Sequence, residues 1–363
     1  MNRFTKKVCM ILLATVMAFA MASCDDSSAD IAISNKNFNC AEVAYGSYAQ
    51  DVVTDAAVIA KLEGASWSYD NVAVVDNMEY VRLQATPASK SVTFKNGEVI
   101  VPGTTYYFAV TEIKWYVLSS AEGASVLFAK DILDVSVYNT DTEKSQSIRI
   151  HDKCRSVLND NPEEVEEEFT CPVCGVVTAD KTRLLTVYPN NWEFSTVRSW
   201  LNGEFADRAF SNIEKAAINL TRVCSNSSVS YYKKHTSAIA DTWDQVYCLS
   251  YADTVNPEYG FNGAEESANA GRYDCMRMAE PTDYARARGA SVYTSTASDE
   301  RAAEWNGNGE YWLRTAGQSL AYAAIVRYTG ETGAVYHYVN TASEANKNGS
   351  VGVRPAITVG FEF

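Results

Sequence analysis

Trp192–Ile213, WEFSTVRSWLNGEFADRAFSNI, is the stretch whose reading decides the fold. Val197, Trp200 and Leu201 recur at i, i+3 and i+4, so one helical face is apolar, and Ser195 stands where an N-cap is needed. Asn202-Gly203 reads as the end of that helix, because glycine reaches the left-handed conformation of a C-terminal cap without strain. Phe205, Phe210 and Ile213 then carry apolar bulk into a second helix, which opens on the capping box Ser211-Asn-Ile-Glu214. No nucleophile, base or metal cluster sits here. The segment is expected to be core, with function elsewhere.

Working outward, the chain before it reads as strands: Glu79–Ala85, Ser91–Val101, Thr105–Ser120 and Ala124–Leu133. Asn96-Gly97 is the strongest hairpin signal, and Glu122-Gly123 marks a second turn. Ala56–Leu62 reads as a helix, and Tyr45-Gly-Ser-Tyr48 as a turn. Downstream, Val223–Ser237 and Asn256–Gly271 have loop composition, Asp244–Ser250 reads as a strand, and Pro281–Arg288 as a short helix stopped by Gly289. Strands are expected at Tyr311–Thr315, Ala323–Tyr328, Ala334–Val339 and Val351–Val359. Residues from about 139 to 189 break the rhythm and read as an insertion, whose run Glu163–Glu168 is a solvated loop. The fold class is α+β, with residues 41–363 as one domain.

The N-terminus carries an export signal: Arg3, Lys6 and Lys7, then the apolar stretch Val8–Ala20, too short to span a membrane. Met21-Ala-Ser-Cys24 is similar to the lipobox of bacterial lipoproteins, which implies a signal peptide over 1–23, a lipidated Cys24 and a tether over 24–40. The competing reading is ordinary cleavage after Ala20-Met-Ala22; either way the protein is exported. Losing the three leading basic residues takes the net charge from −14 to −17, which suits neither nucleic acid nor anionic lipid. The 22 tyrosines suit a β-rich binding protein.

Several pieces, in order, resemble a bacterial family of exported and surface proteins, domain of unknown function 6273. They are Tyr45–Tyr48, Ile113–Leu118, Leu127–Leu133, Trp192–Phe210, Val246–Ser250, Pro281–Ala285, Tyr311-Trp-Leu-Arg314 and Gly352-Val-Arg-Pro-Ala356. The insertion departs from the pattern. More remotely, the WLNG stretch and the GVRPA strand resemble the formylglycine-generating, C-type-lectin-like fold. That resemblance implies short twisted antiparallel sheets, two central helices and long loops. It carries no established reaction.

Cys171-Pro-Val-Cys174-Gly175 is the sharpest local motif, since two thiolates two residues apart chelate one Zn²⁺ and the glycine permits the turn. His151-Asp-Lys-Cys154 adds a donor pair at the same spacing, completing a tetrahedral set of three cysteines and a histidine. Such a site is structural, with no open position. Disulfide bonding and redox catalysis are the other readings, and Cys40, Cys224, Cys248 and Cys275 remain as an even number. Arg314 and Arg354 each sit within an apolar strand, either paired with an acid, for which Asp283 is a candidate, or forked toward a ligand carboxylate. Tyr259, Phe261, Tyr293, Trp305 and Tyr338 combine aromatics with Asn, Gly and acids in loops, a composition that stacks on sugars or peptides.

Formylglycine-generating enzymes use a late cysteine pair and their iron-dependent relatives use clustered histidines. No cysteine follows Cys275, and His235 and His337 are isolated, so neither chemistry carries over. A membrane-anchored protein that binds carbohydrate or protein is therefore expected. The alternatives are an enzyme of unknown reaction on the sulfatase-modifying-like fold and a structural envelope protein.

Overall fold

Strand β4 (Thr105–Ala121) runs for 17 residues, well beyond the roughly 3–10 of an ordinary strand, so no single neighbour covers it. In the computed structural model β3 (Met78–Gln84) pairs with its first part and β5 (Ala124–Ala129) with its last, on one edge. β1 (Glu42–Val52) lines the other edge. β2 (Val72–Val75), β13 (Val246–Tyr247) and β18 (Ala356–Val359) complete a seven-stranded sheet, in the order β13-β18-β5-β4-β3-β2 with β1 on β4. Glu122 and Gly123, both at positive φ, make the tight turn joining β4 to β5, as expected. The described residues are 41–140, 146–151, 154, 169–178, 181–224, 240–262, 276–295, 300–317, 322–332, 337–338 and 351–363. The leader, Cys24 and the tether lie outside them.

The second sheet has five strands, in the order β16-β15-β14-β17-β6: β6 (Asp134–Val135), β14 (Tyr311–Ala316), β15 (Tyr322–Val326), β16 (His337–Tyr338) and β17 (Gly352–Val353). The chain crosses directly from one sheet to the other between β5 and β6 and again between β17 and β18. The two crossings lie side by side, with Ala129 N–H on Pro355 O (2.9 Å) and Leu133 N–H on Val353 O (3.0 Å). The architecture is α+β, built from small, largely antiparallel sheets with few helices, and residues 39–363 form one compact unit. Among the described residues no helix is long and apolar enough to cross a membrane.

Two local readings are corrected. Tyr45–Tyr48 lies inside β1, where the register slips between Ala44 and Ser47 and Gly46 takes φ +67°. A Cβ at Gly46 would come within 2.5 Å of Ala209 O, so glycine is needed for conformation and for the close approach of a helix end. Asn202-Gly203 does not end a helix. The helix Thr196–Trp200, capped by Ser195, continues through a π-helical turn, Leu201–Phe205, into Ala206–Ala209. Asn202 there turns outward to bind Val246 O and accept from the Gln245 and Val246 amides. The break comes at Phe210, which is extended, and the Ser211–Glu214 capping box then opens the helix Asn212–Ala217. Ile213 is exposed rather than core, while Val197, Leu201, Phe205 and Phe210 are buried.

One carboxylate fixes this helical segment. Asp244, fully buried on β12 (Thr242–Asp244), which pairs with β11 (Thr221–Val223), accepts from Trp192 Nε1 (2.9 Å), Thr242 Oγ1 (2.7 Å) and Arg198 Nε (2.6 Å). Asp244→Asn keeps the shape but removes the charge that answers Arg198. It is expected to lower unfolding free energy by about 3 kcal/mol in urea melts, whereas Glu204→Gln, on the solvent side, changes it by less than about 0.5 kcal/mol.

Candidate metal centre and loop surface

Separate from both main sheets, β7 (Gln146–His151) pairs with β10 (Thr182–Val187) as an antiparallel ribbon, with His151 opposite Thr182. At that end two tight turns face each other. In the first, Cys154 N–H returns to His151 O (3.0 Å). In the second, between β8 (Phe169–Thr170) and β9 (Val177–Thr178), Gly175 N–H binds Cys171 O (2.8 Å) and Cys171 N–H binds Val176 O (3.0 Å). Gly175 has φ +69°, which an L side chain resists. The turns bring the donor atoms of His151, Cys154 and Cys174 within 4.8 Å of one another, and Cys171 Sγ lies 3.6 Å from Cys154 Sγ.

The two central thiols differ sharply. Burial pushes Cys171 up, but the backbone N–H groups of His151, Cys174 and Val173 outweigh it and bring it down to about 7. Cys154, without such amides, is pushed up to about 12 by burial and by its sulfur neighbours. A group of this composition can hold a metal ion. Cys224 and Cys248 carry free thiols, and Cys40 and Cys275 lie outside the described residues.

The arginines take a different role from a ligand fork. Arg314 is 4 % exposed and binds Asp253 (2.7 Å), Cys248 O (2.7 Å) and Cys224 O (3.1 Å). Its acid is Asp253. Asp283 instead accepts from the amides of Lys95 (2.7 Å) and Val52 (3.3 Å). Arg354, wholly buried between the crossings, binds Ala129 O (2.7 Å), Arg277 O (3.1 Å), Met276 O (3.3 Å) and Tyr311 Oη (3.2 Å), with its guanidinium 3.9 Å from the Phe128 ring centre. Arg277, missed in the sequence, is equally buried and donates to Gly330 O (2.7 Å) and Thr254 O (2.9 Å). Its signal was present: like Arg314 and Arg354, it interrupts an apolar run, Met276-Arg277-Met278.

The loop aromatics separate. Phe261 is 3 % exposed and packs edge-on against Phe128, so its ring belongs to the core rather than to a binding surface. Tyr259 ends a 3₁₀ turn and is half-buried, and Tyr338 lies on β16 opposite Tyr322. Trp305 is not in a loop but closes the helix Glu300–Trp305. Its indole sits edge-on, at 6.2 Å, to both Tyr293 and Tyr328, which stack on each other at 4.1 Å. Tyr328 was not expected in this group, because it reads as the last residue of a strand, whereas β15 ends at Val326. Asn308 fixes the cluster through Glu304 O (3.3 Å) and Tyr328 O (3.1 Å), and all three rings are half-buried.

Residues 177–360 match the family model described as Domain of unknown function (DUF6273), just over half of the chain, and the chain belongs to this family. The aromatic cluster and the buried arginines lie inside the matched span, whereas His151, Cys154, Cys171 and Cys174 precede it. So do the expected family pieces Tyr45–Tyr48, Ile113–Leu118 and Leu127–Leu133. No curated protein and no solved structure matches the chain.

Arg354→Lys separates a clamp from a ligand fork. A lysine cannot reach four acceptors and keep the Phe128 stack, so a loss of about 2–4 kcal/mol in unfolding free energy is expected in urea. Unchanged stability would instead mark Arg354 as free to serve a ligand.

Proposed function

We propose that the chain is an exported, lipid-anchored surface protein whose C-terminal half is a ligand-binding module for carbohydrate or protein, on a C-type-lectin-like support. The observation that carries this reading is the half-buried trio Tyr293, Trp305 and Tyr328, held rigid by Asn308. Rigid aromatic faces beside hydrogen-bonding groups are the usual means of meeting sugar rings and peptides. The lipobox-like Met21–Cys24 supports the anchor, and small sheets carrying long connections support the loop-presenting arrangement. The carboxylates of Asp134, Asp244 and Asp253 are engaged by Tyr48 and Arg288, by Arg198 and Trp192, and by Arg314, which favours binding over catalysis. Zinc at the cysteine cluster would act structurally, because four protein donors leave no open position.

Glycan and protein arrays probed with the soluble domain test the reading. The native domain is expected to bind one class, and Trp305→Ala to weaken that binding about tenfold or more with the fold intact by circular dichroism. Equal binding by both proteins would remove this cluster from the account. Cys24→Ser is expected to release the protein from the membrane fraction, and retention there would contradict the anchor.

A further inference from the structure

We propose that His151, Cys154, Cys171 and Cys174 bind one Zn²⁺ in a closed tetrahedral site, and that this ion folds the projection formed by β7 to β10. The inference rests on the structural-zinc part of the proposed function and is independent of which ligand the loops take.

Zinc–thiolate bonds of about 2.3 Å in a tetrahedron place two sulfurs about 3.8 Å apart. Cys154 Sγ and Cys171 Sγ are 3.6 Å apart, close to that separation and far from the roughly 2.05 Å of a disulfide. The donor atoms of His151 and Cys174 lie within 4.8 Å of each other and of Cys154 Sγ, and each of the two turns is closed by its own backbone hydrogen bond. The His151 amide donates to Cys171 Sγ at 3.2 Å, and the Val173 and Cys174 amides donate there too. Amides aimed at a sulfur are the usual outer partners of a metal-bound cysteine.

Donor chemistry then selects the ion. Calcium and magnesium take oxygen ligands, and this site offers sulfur and imidazole. Three cysteines and one histidine form a standard structural zinc set, whereas the common iron–sulfur clusters call for four cysteines.

The projection also needs a staple. Among its described residues the buried apolar side chains are Ile150, Cys171 and Val187. A core that small does not offset the entropy of ordering the ribbon. The cluster sits at the end of the ribbon away from the Gln146–Val187 pair, where the ladder stops. A metal there ties both strands to the Cys171–Cys174 turn, and its binding free energy becomes folding free energy.

Protein expressed in zinc-supplied medium and purified under reducing conditions is analysed for metal by mass spectrometry. One zinc per chain is expected, falling about tenfold or more in Cys174→Ser and unchanged in Cys224→Ser, which alters an exposed thiol elsewhere. Replacement by Co²⁺ is expected to give the visible bands of tetrahedral thiolate coordination. Chelation is expected to open Arg149, Lys181 and Arg183 to trypsin while a fragment from about residue 190 onward survives. Native protein without zinc and with Cys154 joined to Cys171 as a disulfide would overturn the proposal. So would Cys174→Ser with full zinc content. Array binding and metal content are read separately, so failure of one reading is distinguishable from failure of the other.

Discussion

Four guanidinium groups shut away from water shape this protein more than any other single constraint. Arg277, Arg286, Arg314 and Arg354 are each no more than 4 % exposed. A charge buried without partners costs several kcal/mol, so each must collect acceptors, and carboxylates supply only part of the need. Arg314 has Asp253 and Arg286 has Glu280, while the rest of their bonds go to backbone carbonyls. Arg354 meets carbonyls, a phenol and an aromatic face. Those carbonyls lie where the chain leaves a strand or helix or turns in a loop. The arginine needs acceptors and the irregular chain needs donors. Each solves the other's problem.

This exchange explains how small sheets support long connections. The two crossings between sheets run beside each other, and Arg354 closes the gap between Ala129 and the Met276–Arg277 segment. Arg277 then reaches Thr254, at the end of the helix Tyr251–Thr254, and Gly330, in the turn after β15. Tyr311 joins the pair, donating to Arg277 O and accepting from Arg354. The aromatic cluster at Trp305 sits on a frame set by these bonds, because Tyr328 precedes Gly330 by two residues. At the tip of the projection the groups brought together are sulfur and imidazole instead. On the zinc proposal, domain and projection thus meet one need, ordering a chain with little regular structure, by different chemistry.

Much of this was legible in the sequence, with informative exceptions. Turn chemistry was reliable: Glu122-Gly123, the Ser211 capping box and Gly289 behaved as read, because those conformations are set locally. Gly203 misled, since a glycine followed by good helix formers is carried through by a wider turn when Asn202 is held from outside. Gly46 misled for a tertiary reason, a helix end pressed against a strand. The two residue pairs of the Cys/His cluster were legible because the spacing within each pair is local. The role of the arginines was not: an Arg in an apolar run announces a buried charge, but only the fold says which carbonyls meet it. For the same reason Asp283 was a natural guess for a partner and Asp253 the actual one.

Amide hydrogen exchange on Arg277→Lys tests the central claim most directly. If buried guanidiniums order the loops, exchange accelerates at residues 254–262 and 327–331, where Arg277 takes its carbonyls, while β4 keeps its protection. Unchanged exchange in those loops, or equal acceleration through β4, would contradict it.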